Sequence, residues 1–209
     1  MSYVHDVFIS YKRDEFKDEW LSEHFIRLFL YYAREEIAAA CNRTTDGIYF
    51  DQTEVSNDRR KLDQTGLEPG DEWRKALREA IKTSRCIVCL WSPLYFHSRW
   101  CRTEWYSFRD RGAATGTTIV TAMSVHDGES FPKEAQDFKA PDFSDFVIVG
   151  EGFKKTEDYP KFQKQLRTFA ITVAKRVRDA PPYADFPVID VPDPVFPPLE
   201  PDVPQQRLR

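Results

Sequence analysis

Trp100 and Glu104 stand four residues apart in Trp100-Cys101-Arg102-Thr103-Glu104, and on a helix that spacing puts an indole and a carboxylate on one face. Such a pair can hold a sugar: the carboxylate accepts hydrogen bonds from its hydroxyls while the ring packs on the sugar or an attached base. The bland alternative is a half-buried tryptophan beside an exposed glutamate. Either way Glu104 is expected to be at least partly exposed. Lys12 and Arg13 follow an apolar run and suit phosphate oxygens, unless they are solvated surface charges. Cys86 and Cys89 have C-x-x-C spacing but lie inside an apolar run where positions three apart point to opposite faces. No second ligand pair comes from His5, His24, His97 or His126, so no metal site is expected. With Cys41 and Cys101, these cysteines fit a reducing compartment and buried packing.

The elements that must carry these residues fit one domain with a tail. The chain has 209 residues, 41% hydrophobic and 14% aromatic, enough for a single sizeable core. A net charge of -4 and a pI near 5.7 argue against a nucleic-acid partner, which needs a basic surface to release counterions. The opening residues have no basic start or small-residue cleavage site, and no window approaches the roughly 20 apolar residues of a membrane span. A cytoplasmic protein with no membrane partner is the expectation.

Short apolar runs alternate with longer amphipathic ones. Strands are predicted at 7–11, 48–50, 86–91, 117–123 and 146–149, and helices at 20–40, 71–83, 98–111 and 159–177. A polar loop fills about 52–70. Continuous apolar strands separated by helices predict a parallel sheet covered on both faces. The fold class is α/β, a flavodoxin-like doubly wound five-stranded parallel sheet. In strand order 2-1-3-4-5 the loops leaving strands one and three flank the crevice at the switch point. Lys12 and Arg13 then face the Trp100/Glu104 pair. From Pro181 onward lie nine of the 14 prolines, which predicts an extended tail over 179–209 after a domain over 1–178. That tail reads as a surface strap or a disordered end, with a docking peptide as the alternative. A glycine-rich phosphate loop follows no strand, so P-loop and dinucleotide-binding folds are set aside. A phospho-receiver would want an acidic pair where this chain has Ser10-Tyr11-Lys12.

Read in order, Asp6-Val-Phe-Ile-Ser-Tyr-Lys-Arg13, Tyr49-Phe-Asp51, Gly70 before Trp73, Ala80-Ile81, Ser84-Arg85, Leu90-Trp-Ser-Pro93 and Ser98-Arg-Trp-Cys-Arg-Thr-Glu104 resemble the successive boxes of a Toll/interleukin receptor (TIR) domain. The likeness covers most of residues 5–178. Some TIR domains are adaptors that only self-associate; others cleave NAD between nicotinamide and ribose. The resemblance implies that Glu104 is catalytic, and that Trp100, Ser10, Lys12, Arg13, Trp73 and Asp51 line or position the substrate site. Lys12 and Arg13 would lie near the nucleotide, Trp73 toward nicotinamide, and Asp51 would position its loop. The stretch from Val55 to Gly66 looks like an insertion relative to the family.

The implied reaction suits one carboxylate. Nicotinamide is cationic in NAD and leaves neutral, so no general acid is needed, unlike an ordinary glycoside. NAD is then a substrate, with no cofactor expected. The expected protein is a stand-alone bacterial-type TIR NADase acting in antiphage defence. It would work as a homo-oligomer and release ADP-ribose, or a cyclic or conjugated form, as a signal for a separate effector. The alternative is a non-catalytic scaffold.

Overall fold

In the computed structural model, residues 2–50 and 71–192 are described. Strands β1 (His5–Tyr11), β2 (Ile48–Phe50), β3 (Ser84–Trp91) and β4 (Val120–Ser124) form a parallel sheet in the order β2-β1-β3-β4. Register places Val7 beside both Ile48 and Cys86, and Ser10 beside Cys89. β1 and β3 are buried along almost their whole length, which explains why neither alternates polar with apolar.

Helices cover both faces. Asp14 caps α1 (Glu15–Trp20) by accepting from the Lys17 N–H at 2.9 Å. One π-turn, Leu21–Phe25, leads into α2 (Ile26–Cys41), which stops at Asn42 in the left-handed region, φ 52°. α2 packs on the last helix, numbered α7 below. On the other face lie α3 (Asp71–Thr83) and, after the short α4 (Pro93–Phe96), α5 (Arg99–Thr115). A further short helix, α6 (Lys133–Asp137), precedes α7 (Asp158–Arg178). Trp20, Phe25 and Phe29 stack in series against Phe162 and Phe169 of α7. Burying each such ring contributes roughly 1.5–3 kcal/mol.

Two devices fix α5. Gly116 takes φ 65° after its last turn, and Thr117 N–H donates back to Gly112 O at 2.9 Å, closing the helix as a Schellman cap does. A side chain at Gly112 would meet Thr117 O at 2.7 Å, so this close approach requires glycine. Buried Arg111 donates to Ser84 O at 2.7 Å and reaches the Ile81 and Lys82 carbonyls at 3.4 Å. Its positive charge thus satisfies the carbonyl end of α3 and ties α5 to the start of β3.

The predicted fifth strand is not formed. Residues 144–146 make a 3-10 turn, and Val147 (φ -82°, ψ 71°) bends the chain so that Ile148 N–H donates to Phe146 O at 2.9 Å. The Trp20 indole donates to the same carbonyl at 2.7 Å, and the Phe146 ring packs on Phe143 and Phe162. An acceptor engaged twice is unavailable to a ladder. Pairing beside β4 is reduced to one bridge, Ser124 with Asp142. What remains is a groove of about 490 Å³ between β4 and α7, with Thr121, Phe138, Pro141, Phe169 and Arg176 among its lining residues. The predicted helix at 20–40 starts earlier, at Glu15, and contains the π-turn; the fourth strand runs 120–124 rather than 117–123.

Residues 180–192 lie extended on the domain as a strap. Tyr3 Oη donates to Pro181 O at 3.0 Å, Lys82 pairs with Asp185 at 3.0 Å, and Val191 is buried. The rest of the proline-rich segment, 193–209, and residues 51–70, where the polar loop and its insertion are predicted, lie outside the described residues.

Fully buried Asp6, at the start of β1, accepts from Arg43 at 2.6 and 3.1 Å, Thr45 Oγ1 at 2.9 Å and Asp46 N–H at 2.7 Å, with Arg85 Nε 3.0 Å away. Burial alone would raise its pKa; the hydrogen bonds from Arg43, Asp46 and Thr45 outweigh it and hold the carboxyl below its ordinary 3.8. A depressed folded pKa gives stability that is complete above 3.8 and lost as pH falls through the folded value. Asp6→Asn should therefore unfold about 3 kcal/mol more easily in urea at pH 7, and its stability should fall less steeply than the parent's on acidification below that pH. A variant as stable as the parent would show that the network contributes nothing.

Candidate active site

β1 and β3 run side by side, so their carboxyl ends bring Ser10 next to Cys89 and open onto the loop that carries α4 and α5. Pro93 occupies the first turn of α4, where its missing N–H costs nothing. Ser98 caps α5, its hydroxyl accepting from Cys101 N–H at 3.4 Å. These two starts aim Tyr95 and Glu104 at the end of β1.

Ser10 Oγ donates to Glu104 Oε2 at 2.5 Å, and Tyr95 Oη lies 2.8 Å from the same Ser10 oxygen. Since the serine has one proton and gives it to the carboxylate, Tyr95 is the donor to Ser10. Tyr95 is fully buried; burial first, then the neighbouring thiols and the Glu104 charge, push its pKa well above 10.0 and keep it a neutral donor. The three groups form a directed chain ending on Glu104. Glu104 is only 7% exposed, which corrects the expectation of an exposed carboxylate: the helix turn that carries it faces β1 rather than solvent. Burial raises the Cys89 and Cys101 pKa values, and the Glu104 charge adds to both. Both sulfurs stay protonated, so neither is a thiolate nucleophile. No disulfide forms, and among the described residues no group of three or more His, Cys, Asp or Glu is placed to hold a metal.

Trp100 lies one turn before Glu104, half-buried, and meets Trp73 edge-to-face at 5.4 Å and 88°. Trp73 comes from the first turn of α3, so the aromatic pair joins two helices. Arg74 and Arg99 stand over the Trp100 ring at 6.0 and 5.7 Å. The basic pair is divided. Lys12 is close enough to Cys101 for its charge to counter the rise in that thiol's pKa, whereas the Arg13 charge acts on Asp18 of α1. Asp51 lies outside the described residues.

A family model described as TIR domain matches residues 55–154, which includes α3, β3, α5 and Glu104. Over residues 55–154 the chain is a TIR domain. Among solved structures, it is similar to the TIR domain of the Toll-related receptor TRR-2 from Hydra magnipapillata. Identity there is 13%, with 78% of this chain and 98% of that chain covered and a TM-score of 0.41. It is also similar to the TIR domains of the activated Roq1 resistosome that directly recognizes the pathogen effector XopQ, at 18% identity, 82% and 84% coverage and a TM-score of 0.34. No curated protein matches. Among the described residues of this TIR domain no helix is long and apolar enough to cross a membrane.

Tyr95 is the residue that sequence reasoning missed. Its signal was a phenol in an otherwise apolar turn, Pro93-Leu-Tyr-Phe96, where a buried hydroxyl needs a partner. If the chain runs Tyr95 to Ser10 to Glu104, Ser10→Ala should destabilise the TIR domain more than Tyr95→Phe. The first removes a donor from a buried charge, costing about 2 kcal/mol, and the second removes a neutral bond, costing about 1 kcal/mol. Urea unfolding of both variants checks this; the reverse order would mean that Ser10 does not donate to Glu104.

Proposed function

We propose that this TIR domain cleaves NAD at the bond between nicotinamide and ribose, with Glu104 as the catalytic residue. The observation that carries this reading is the buried Glu104 carboxylate at the switch-point end of the sheet, oriented by Ser10 and Tyr95 with Trp100 one turn away. Nicotinamide departs with the electron pair of the C1′–N bond and becomes neutral. The ribose left behind develops oxocarbenium character, and an adjacent fixed carboxylate stabilises that charge. Donors and charges fixed before reaction need no reorganisation during it, an effect worth roughly 3–4 kcal/mol per group in other enzymes. Water attacking C1′ gives ADP-ribose with loss of one proton. The adenine of the same substrate gives a cyclic product, and another nucleophile gives a conjugate.

The aromatic pair Trp73 and Trp100 supplies a wall for the base or the ribose, and Lys12 a charge for the diphosphate. Arg13, next in the chain, is a second cation for the same phosphates. Ser10 serves as a positioning residue through its bond to Glu104. No cofactor beyond the substrate is invoked. The role we assign is signalling in antiphage defence by a self-associating enzyme, its product read by a separate effector. A TIR scaffold without turnover is the second reading. What favours it is the burial of Glu104, because a carboxylate already enclosed and hydrogen-bonded serves packing as well as chemistry.

Purified chain incubated with NAD, with products resolved by chromatography and mass spectrometry over a series of protein concentrations, separates these readings. Glu104→Gln keeps the shape of the buried group and removes its charge. Turnover should fall about 10²-fold or more while the fold persists by circular dichroism. Turnover equal to the parent's would remove Glu104 from the mechanism, and no cleavage by the parent at any concentration would favour the scaffold.

A further inference from the structure

The strap of residues 180–192 reaches the seam between α3 and α5. Asp190 lies 2.9 Å from Arg99 Nη2 of α5 and 3.4 Å from Arg78 Nη2 of α3. On either side of it, Ile189 N–H donates to Ser107 Oγ at 2.9 Å and Val191 N–H to Thr103 Oγ1 at 3.3 Å. Val191 is buried, and Thr103 is the residue before Glu104. Arg99 is shared: besides pairing with Asp190 it stands 5.7 Å over the Trp100 ring. From α3, Arg74 stands over the same ring, one turn before Arg78.

Exposed ion pairs ordinarily contribute little, because holding two long side chains costs entropy and water screens the charge. Here the backbone on both sides of Asp190 is already fastened to α5, so the carboxylate is presented at a set position. Its two arginines come from the two helices that supply Trp73 and Trp100. Arg111 clamps the far end of the same seam through the Ile81, Lys82 and Ser84 carbonyls. Asp190 thus bridges α3 and α5 near the aromatic pair.

We propose that Asp190 is a positioning residue of the Glu104 site: by holding Arg78 and Arg99 together it sets the separation of α3 and α5 at which Trp73 and Trp100 form one aromatic wall. The C-terminal strap is then part of the substrate site. The kinetic consequence rests on the reading of Glu104 as the NAD-cleaving carboxylate; the structural consequence does not.

The full chain serves for the test. Trp100→Phe removes the Trp73–Trp100 contribution to the tryptophan exciton couplet in circular dichroism, and the difference from the parent defines that signal. Asp190→Ala should lose about half of it or more, with the melting temperature held within about 2 °C as for an exposed residue, while Asp190→Glu retains it. In the same variants Asp190→Ala should raise KM for NAD about fivefold and leave kcat within about twofold, because the wall acts on ground-state binding, and Asp190→Glu should restore KM. A couplet unchanged in Asp190→Ala overturns the proposal. Loss of the couplet in a chain that never cleaves NAD upholds the positioning and refutes the catalytic reading instead. Loss of the couplet with KM unmoved in an active chain overturns the role in the site.

Discussion

A parallel sheet buried on both faces leaves only the ends of its strands open to chemistry. Helices cover β1 and β3, so nearly all side chains along their length are buried, and the one place where backbone ends and loops converge is beyond Tyr11 and Trp91. Right-handed crossovers with order β2-β1-β3-β4 put the reversal between β1 and β3. Ser10 is the last β1 residue facing α5 before that opening, and Glu104 the first α5 carboxylate to reach it. The hydrogen bond between them joins sheet, loop and helix at a single point.

A buried carboxylate is expensive unless hydrogen-bonded. The chain meets that cost with Ser10, which receives in turn from Tyr95, and both donors come from elements whose positions are fixed by the sheet. Neighbouring thiols cannot share the proton traffic because burial keeps them neutral. The electrostatic character of the site is therefore that of one anion among neutral groups, with cations held at its rim on Trp100 and at Lys12. That arrangement suits the stabilisation of a developing positive charge more than a reaction needing a matched acid and base.

The shortened sheet follows from one aromatic anchor. Trp20, brought inward where the π-turn begins, takes the Phe146 carbonyl that a fifth strand would have spent on β4. Phe146 then joins the ring cluster under α7 instead of a ladder. An edge strand left with a single bridge is open to pairing by other chains, and here the 138–141 segment and α7 stand beside it to form a groove. The strap on the opposite face has the reverse effect, closing the seam between α3 and α5.

The residue pattern alone determined the layered α/β class, the order of the first four strands and the i, i+4 relation of Trp100 to Glu104, because hydrophobic periodicity and helix geometry are local properties. It also marked residues 180–192 as extended, since proline fixes φ whatever surrounds it. What only the tertiary structure decided are matters of partner choice. Phe146-Val-Ile-Val149 has the composition of a strand, but whether it becomes one depends on who takes its carbonyl, and Trp20 lies 126 positions away. Tyr95 and Asp190 carry no motif. Their roles arise from residues 85 positions distant in one case and 91 and 112 in the other, a separation that no window along the chain can span.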